Sequence, residues 1–545
     1  MQSASKREQV SHSTYCTIRS DAAAAIPRQP SCPFGIGPDW ICGPTGIRDI
    51  LTDVDVADDS TAGSTSDDVG WTYETTNSVL FTGQTSGITI LDPSIVPPTL
   101  ETQLLTTYGE RFDPLLKILD WPNVLSMLRS SPEFASAELE ALRTAVLFGG
   151  AVTIQPYELD NRDGLLAYLR MVLEARLAEA KILTTPSYMT LQAFVIYLAA
   201  LRATRANAQQ WTLLPIAIRI ASSLHIPALL TTEPGDYMRV NLWYSIGMLD
   251  LQSSFDRGSQ PLLRGQDFPI PAADVGGPDL ALTGPLKHFS TMTTSLMTYQ
   301  AMLCQRELME STAIALVTGQ LQHEWWSAQL RTFRRFEQYV ANISVACGGG
   351  TSTAIPLQSF TMAVAKESLL TMRLLLYRPL QKLSGQLKPP QPDFDILQSA
   401  VNVLESAEFK VQPEYAKWSW YTWVKWYALA IALAELCRTP RPWQDHILQA
   451  WNVAAMSYDK YAQLVADTDQ GLLWRPIDKL MGRTRQICLA QIPLPPEMHH
   501  ELTSQQAMLD DNLQEMDWFQ WDTFIHDVMA PDVLPDSVDY WEFNT

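Results

Sequence analysis

Cysteine is scarce in this chain of 545 residues, and badly placed for chemistry. Seven stand at positions 16, 32, 42, 304, 347, 437 and 488, and no two have CxxC spacing. Neither a disulfide framework nor a thiolate metal site is indicated, and a reducing intracellular compartment follows. Long apolar runs are missing too. The longest, Ala193 to Leu201 and Trp426 to Ala434, are about half of what a membrane-spanning helix needs, so a soluble protein with no membrane partner is expected. The short run from Ala22 to Ile26 follows Asp21 and ends at Pro27, which is no secretory signal. Stretches of strand-like alternation are absent, which argues against a sheet.

Basic residues are absent from two segments. Residues 51 to 70 hold six Asp and residues 501 to 545 hold eleven acids, neither with a Lys or Arg. These segments account for 17 of the net 20 negative charges. The acidity is therefore local, and the rest of the surface is near neutral. In residues 1 to 98 the few cations, Lys6, Arg7, Arg19 and Arg28, are too dispersed for a nucleic-acid patch. This region is rich in Ser, Thr, Asp, Gly and Pro and lacks hydrophobic periodicity, so it is expected to be mostly disordered.

Catalytic constellations fail one after another. His323 and Glu324 open like a zinc-protease helix, but position 327 is Ser where a second His is needed. In Gly83 to Gly87 the serine comes one place too late for a nucleophile elbow. Gly35 and Gly37 lack the third glycine and the preceding strand of a dinucleotide site. Asp510, Asp511 and Glu515 have the look of a magnesium-diphosphate cluster of helical terpene synthases, but no second metal motif accompanies them. His499 and His500 suit an exposed loop. No catalytic, cofactor or metal residue is assigned, and an enzyme is not expected.

What the chain does have is helical pattern. With 46% hydrophobic residues and 17 Trp it can bury a large core. Leu191, Phe194, Val195, Leu198 and Leu201 fall at helical spacing, and Ile196, Tyr197, Ala199 and Ala200 fill the other sides. Such a helix is apolar nearly all round and belongs at the centre of a fold. Ser187, after Pro186, is its expected N-cap. Helical patterns run from Leu100, broken at Pro114, through Glu138 to Val152, Asp160 to Leu183 and a second central helix. They resume over His288 to Leu321, Glu324 to Val345, Gln358 to Tyr377, Phe394 to Glu408, Ser419 to Cys437, Gln444 to Ala466 and Pro476 to Ala490. An all-α domain over residues 99–490 follows. Pro215 stands inside the second central helix, where it should bend or restart it.

The final segment, residues 491–545, mixes acids with aromatics: Trp518, Phe519, Trp521, Phe524, Tyr540, Trp541 and Phe543. Trp521, Phe524, Ile525 and Val528 lie at i, i+3, i+4 and i+7, so a transient helix would present one apolar stripe among carboxylates. Repulsion keeps such a tail open, and a partner's hydrophobic groove rimmed with basic residues would accept it. The alternative is a terminal helix docked on its own domain.

Several stretches together resemble the fungal-specific transcription factor domain, the middle homology region of zinc-binuclear-cluster (Zn2Cys6) regulators. Leu105, Tyr108, Phe112, Asp113, Pro114 and Leu115 resemble its entry motif. Leu191, Gln192 and Ala193, then Trp211, Ala217 to Ala221 with Arg219, and Leu224 and His225 resemble its central helix pair. Arg239, Leu242, Trp243, Asp250, Gly258, Pro261, Pro269 to Pro271 and Asp274 resemble its basic-Trp helix and the following loop. Arg373 to Leu380, including Arg378 and Pro379, Trp426 to Cys437 and Leu473 to Met481 are similar to regulators of secondary-metabolite clusters. The resemblance covers about 390 residues and implies a scaffold.

Arg239 and Asp250 are three helical turns apart and are expected on one side of a helix whose Leu242 and Trp243 face the core. The family's N-terminal cluster of six cysteines is not matched by Cys16, Cys32 and Cys42, so direct zinc-dependent DNA binding is not supported. Either a first exon is missing or a partner supplies the DNA contact. The resemblance implies a nuclear regulator of a biosynthetic gene cluster, bound to promoter DNA indirectly and to coactivators through the tail. Homo- or heterodimerisation stays open, although no long heptad run is present. The competing class is a helical enzyme or small-molecule-binding protein on the same scaffold.

Overall fold

Local signals account for where the helices begin. In the computed structural model Ser187 Oγ accepts from the Thr190 amide at 3.2 Å, and Thr190 Oγ1 accepts from the Ser187 amide at 2.8 Å, a reciprocal cap that opens the helix Tyr188–Ala203. Every residue from Thr190 to Leu201 in that helix is buried, as its all-round apolar pattern requires. The structure describes residues 94–130, 136–204, 206–228, 237–256, 260–268, 288–290, 292–318, 323–348, 355–382, 394–421, 425–439, 442–465 and 474–489.

Fourteen α-helices follow in order among the described residues: α1 (Pro98–Thr107), α2 (Trp121–Arg129), α3 (Ala137–Val152), α4 (Arg162–Glu179), α5 (Tyr188–Ala203), α6 (Asn207–Ser223), α7 (Tyr237–Asp256), α8 (Thr293–Thr318), α9 (His323–Ala346), α10 (Pro356–Lys382), α11 (Ile396–Glu408), α12 (Trp426–Arg438), α13 (Asp445–Val465) and α14 (Trp474–Leu489). Among these residues there is no strand, and the described structure is all-α. A π-helical turn, Tyr108–Phe112, closes α1, and a 3-10 segment, Pro413–Tyr421, precedes α12.

The apolar residues form two clusters. The larger is built from α1 to α10 around α5, which packs on α3, α6 and α7. The smaller joins α11 to α14, with Phe255 from the end of α7 and Leu374 from α10 reaching into it. Phe255 sets its ring edge-on to Tyr427 at 5.0 Å. Leu374 belongs to the smaller cluster while its neighbours Leu375 and Leu376 belong to the larger, so α10 is buried on both sides.

Two expectations about local structure change. Pro215 does not interrupt its helix: α6 runs through it unbroken. Proline has no amide to donate to the carbonyl four residues back, so the helix continues with one backbone donor fewer. The helix expected from Ser419 to Cys437 begins only at Trp426, because Trp418, Trp420 and Tyr421 belong to the 3-10 segment and turn toward the first half of the fold.

Candidate functional site

Helix α7 and residues 260–268 are joined by a set of side-chain hydrogen bonds. Trp243 is buried, and its Nε1 donates to the Asp267 carbonyl at 2.8 Å. One turn on, Gly247 lets Phe268 lie against the helix backbone. A Cβ there would sit 2.2 Å from the ring, so any side chain would displace it.

Asp250 follows on the buried face and accepts from the Leu262 and Leu263 amides at 3.0 and 2.9 Å. Arg306 of α8 donates to the Asp250 carboxylate at 3.0 Å, to the Gly247 carbonyl at 2.6 Å and to the Leu263 carbonyl, with Phe268 packed beneath its guanidinium. Glu310, one turn further along α8, accepts from the Gly265 amide at 2.8 Å. Residues 260–268 are thus held by side chains from two helices.

Burial raises the Asp250 carboxyl above its ordinary value, against the pull of Arg306 and the two amides. Burial likewise lowers the Arg306 guanidinium, against the pull of Asp250. The pair is chemically a clamp. Each charge is consumed by groups of the protein, and neither is presented to a substrate.

Gln192 occupies a comparable position on α5, where its Nε2 donates to the Ile118 carbonyl at 2.9 Å and fixes the chain after the entry motif. Within that motif Tyr108, Phe112 and Leu115 are fully buried. Asp113 forms a buried ion pair with Lys117. Burial pushes the Asp113 carboxyl up to about 6, with Lys117 opposing and Asp120 adding to the rise.

The other resemblance residues are scattered. Arg239 is half-buried near the start of α7, and Asp250 pairs with Arg306 in the core. Trp211 and Arg219 are exposed on α6 and do not contribute to the core. Arg378 and Pro379 lie in the last turns of α10, and their side chains fall outside the described residues. Trp518, Phe519, Trp521, Phe524, Ile525 and Val528 all lie outside the described residues.

Sequence reasoning missed Arg306, Glu310 and Ser295. Ser295 donates to the Leu115 carbonyl and accepts from the Lys117 amide, both at 3.3 Å. Nothing near these residues in sequence announces partners 43 or more positions away. Among the described residues no group of three His, Cys, Asp or Glu could hold a metal, and no helix is long and apolar enough to cross a membrane. A recess beside Tyr421, Met248 and Arg202 has a cavity volume of about 10 Å³, room for about one water molecule and far less than a drug-sized ligand needs.

Comparison with known proteins decides the relationship. The chain is 29% identical over 439 residues to the C6 finger domain transcription factor adaR of Aspergillus niger, covering 73% of this chain and 55% of that protein. It is 27% identical over 428 residues to nscR of Aspergillus fumigatus, covering 72% and 53%, and 26% identical over 416 residues to nscR of Arthroderma otae, covering 71% and 57%. Over most of its length the chain is homologous to C6 finger domain transcription factors. It spans about half the length of these curated relatives. No family model matches the chain, and no solved structure does. The clamp at Asp250 and Arg306 is therefore a feature of a chain related to C6 finger proteins.

Proposed function

We propose that this chain regulates transcription in the nucleus, as a member of the Zn2Cys6 class controlling a fungal biosynthetic gene cluster. The observation that carries the reading is the similarity, over about three quarters of the chain, to proteins named as C6 finger domain transcription factors. The helical body acts as the scaffold. Its buried charges are engaged with each other, as at Asp250 and Arg306, an arrangement that suits a framework better than an enzyme.

Activation is assigned to residues 491–545, where eleven acids of the last 45 residues surround Trp518, Phe519, Trp521, Phe524, Ile525 and Val528. These apolar side chains would enter an apolar groove of a coactivator, and the carboxylates would speed the encounter with a basic rim. Promoter DNA is reached through a six-cysteine module or a DNA-binding partner, since Cys16, Cys32 and Cys42 have no zinc-cluster spacing.

Tethering the full chain to a reporter promoter through an unrelated DNA-binding domain tests the reading. Raised reporter transcription is expected, and a reporter unmoved by a well-expressed fusion would overturn it.

A further inference from the structure

We propose that residues 409–421 form a strap, closed by the Glu367 carboxylate, that opens as a unit and uncovers the aromatic face of the π turn while the rest of the helical body stays folded.

The strap crosses from the smaller cluster to the larger. Its middle caps a backbone defect. A π turn ends α1, and the carbonyls of Glu110 and Arg111 stand at that helix end, where backbone acceptors need partners from elsewhere. Trp418 Nε1 donates to the Glu110 carbonyl at 3.4 Å and Trp420 Nε1 to the Arg111 carbonyl at 3.1 Å. The Trp420 ring stacks on Phe112 at 4.4 Å, and Gln155 of the α3–α4 connection donates to the Ala416 carbonyl at 2.7 Å. Water can replace each of these hydrogen bonds when the strap lifts.

Both ends of the strap return to one acid. Lys410, at its start, and Lys425, just past its end, form ion pairs with Glu367 of α10, the latter at 2.6 Å. The side chains are 1% exposed for Glu367, 3% for Lys410 and 13% for Lys425. One carboxylate thus faces two ammonium groups in a dry site. Asp256 lies within range of Lys425, but it is already paired with Arg202. Counting these five groups, the neighbourhood carries one surplus positive charge.

Burying a charge is costly, and only a partner offsets it. Burial lowers the Lys410 ammonium below its ordinary value, and Glu367 pulls it back while Lys425 adds to the lowering. A contact meant only for rigidity is better served by a neutral pair or by apolar groups. A surplus cation instead works against the closed state, because opening returns both lysines to water. Closed and open forms are thereby brought near in free energy.

The test follows amide hydrogen exchange in the full chain, comparing residues 413–421 with α5 as an internal reference. Wild-type amides at 413–421 should exchange at least about tenfold faster than those of α5, as expected for opening below the global unfolding energy. Glu367→Gln, which strands two cations, should speed exchange at 413–421 by a further tenfold or so and leave α5 unchanged. Lys410→Met, which leaves the neutral Glu367–Lys425 pair and fills a similar volume, should slow it several-fold.

Faster exchange in Lys410→Met would overturn the proposal, since it would mean that both ion pairs simply stabilise. So would wild-type strap amides as slow as α5, or a Glu367→Gln variant in which all helices speed up together. If Glu367→Gln fails to fold, the sign of the Lys410→Met change decides.

Discussion

Asp250 and Arg306 lie 56 residues apart in sequence and meet 3.0 Å apart, each with a side chain only 1% exposed. The carboxylate organises the Leu262 and Leu263 amides, and the guanidinium satisfies the Gly247 and Leu263 carbonyls. Removing one partner leaves a buried charge with nothing to answer it. Arg306→Met is expected to cost about 3–5 kcal/mol of unfolding free energy. Urea denaturation measures it, and a loss below about 1 kcal/mol would show that the pair does not hold the loop.

Gly247 and Phe268 are matched by close approach. A methyl group at position 247 meets the ring at 2.2 Å, so Gly247→Ala should destabilise by about 1–3 kcal/mol through overpacking. The cost should shrink in a Phe268→Leu background, where the ring that collides is gone. A double-mutant cycle in urea reads the coupling. Equal costs in both backgrounds would rule out the steric account.

Asp113 gives a pH dependence with a definite sign. Its folded value of about 6 lies above the ordinary 3.8 because burial disfavours the charge. Tyr108 and Asp120 face it without neutralising it, Tyr299 approaches from α8, and among the described residues Lys117 is the cation paired with it. The contribution of the neutral carboxyl is fully present below about pH 3.8 and is lost as pH rises through about 6. Relative to Asp113→Asn, the wild type should therefore lose about 2 kcal/mol of stability between pH 4 and 7. Parallel stability curves for the two proteins over that range would contradict the assignment.

Ser187 offers the simplest check on α5. Its hydroxyl and that of Thr190 exchange hydrogen bonds with each other's amides, and Ser187→Ala should cost about 1 kcal/mol. A thermal melt in which the variant is indistinguishable from wild type would show that the cap contributes nothing.

The sequence disclosed features whose causes are local. Ser187 sits beside the helix it caps, and the apolar surround of Leu191 to Leu201 is visible in a dozen consecutive residues. Trp243 was legible as a core residue for the same reason. Helix α2 was not anticipated, because at nine residues it is shorter than the stretch over which helical periodicity stands out. The clamp stayed hidden because Arg306, between Gln305 and Glu307, reads like one residue of a solvated face. Its partner is half a hundred positions away.

The strap was hidden differently. Trp418 and Trp420 continue an apolar pattern into α12, and only the stranded carbonyls of the π turn, some 308 residues earlier, explain why they leave it. Trp211 and Arg219 match the resemblance yet lie exposed on α6. Matching a motif therefore does not by itself place a residue in the core.

The central claim is that activation resides in the acidic-aromatic tail and that the helical body carries it. The direct measurement fuses residues 491–545 and residues 99–490 separately to an unrelated DNA-binding domain and compares reporter transcription at matched expression. The account predicts activation from the tail alone, its loss when Trp518, Phe519, Trp521 and Phe524 are all changed to Ala, and none from the body. A silent tail with those four aromatics intact, or an activating body, would contradict it.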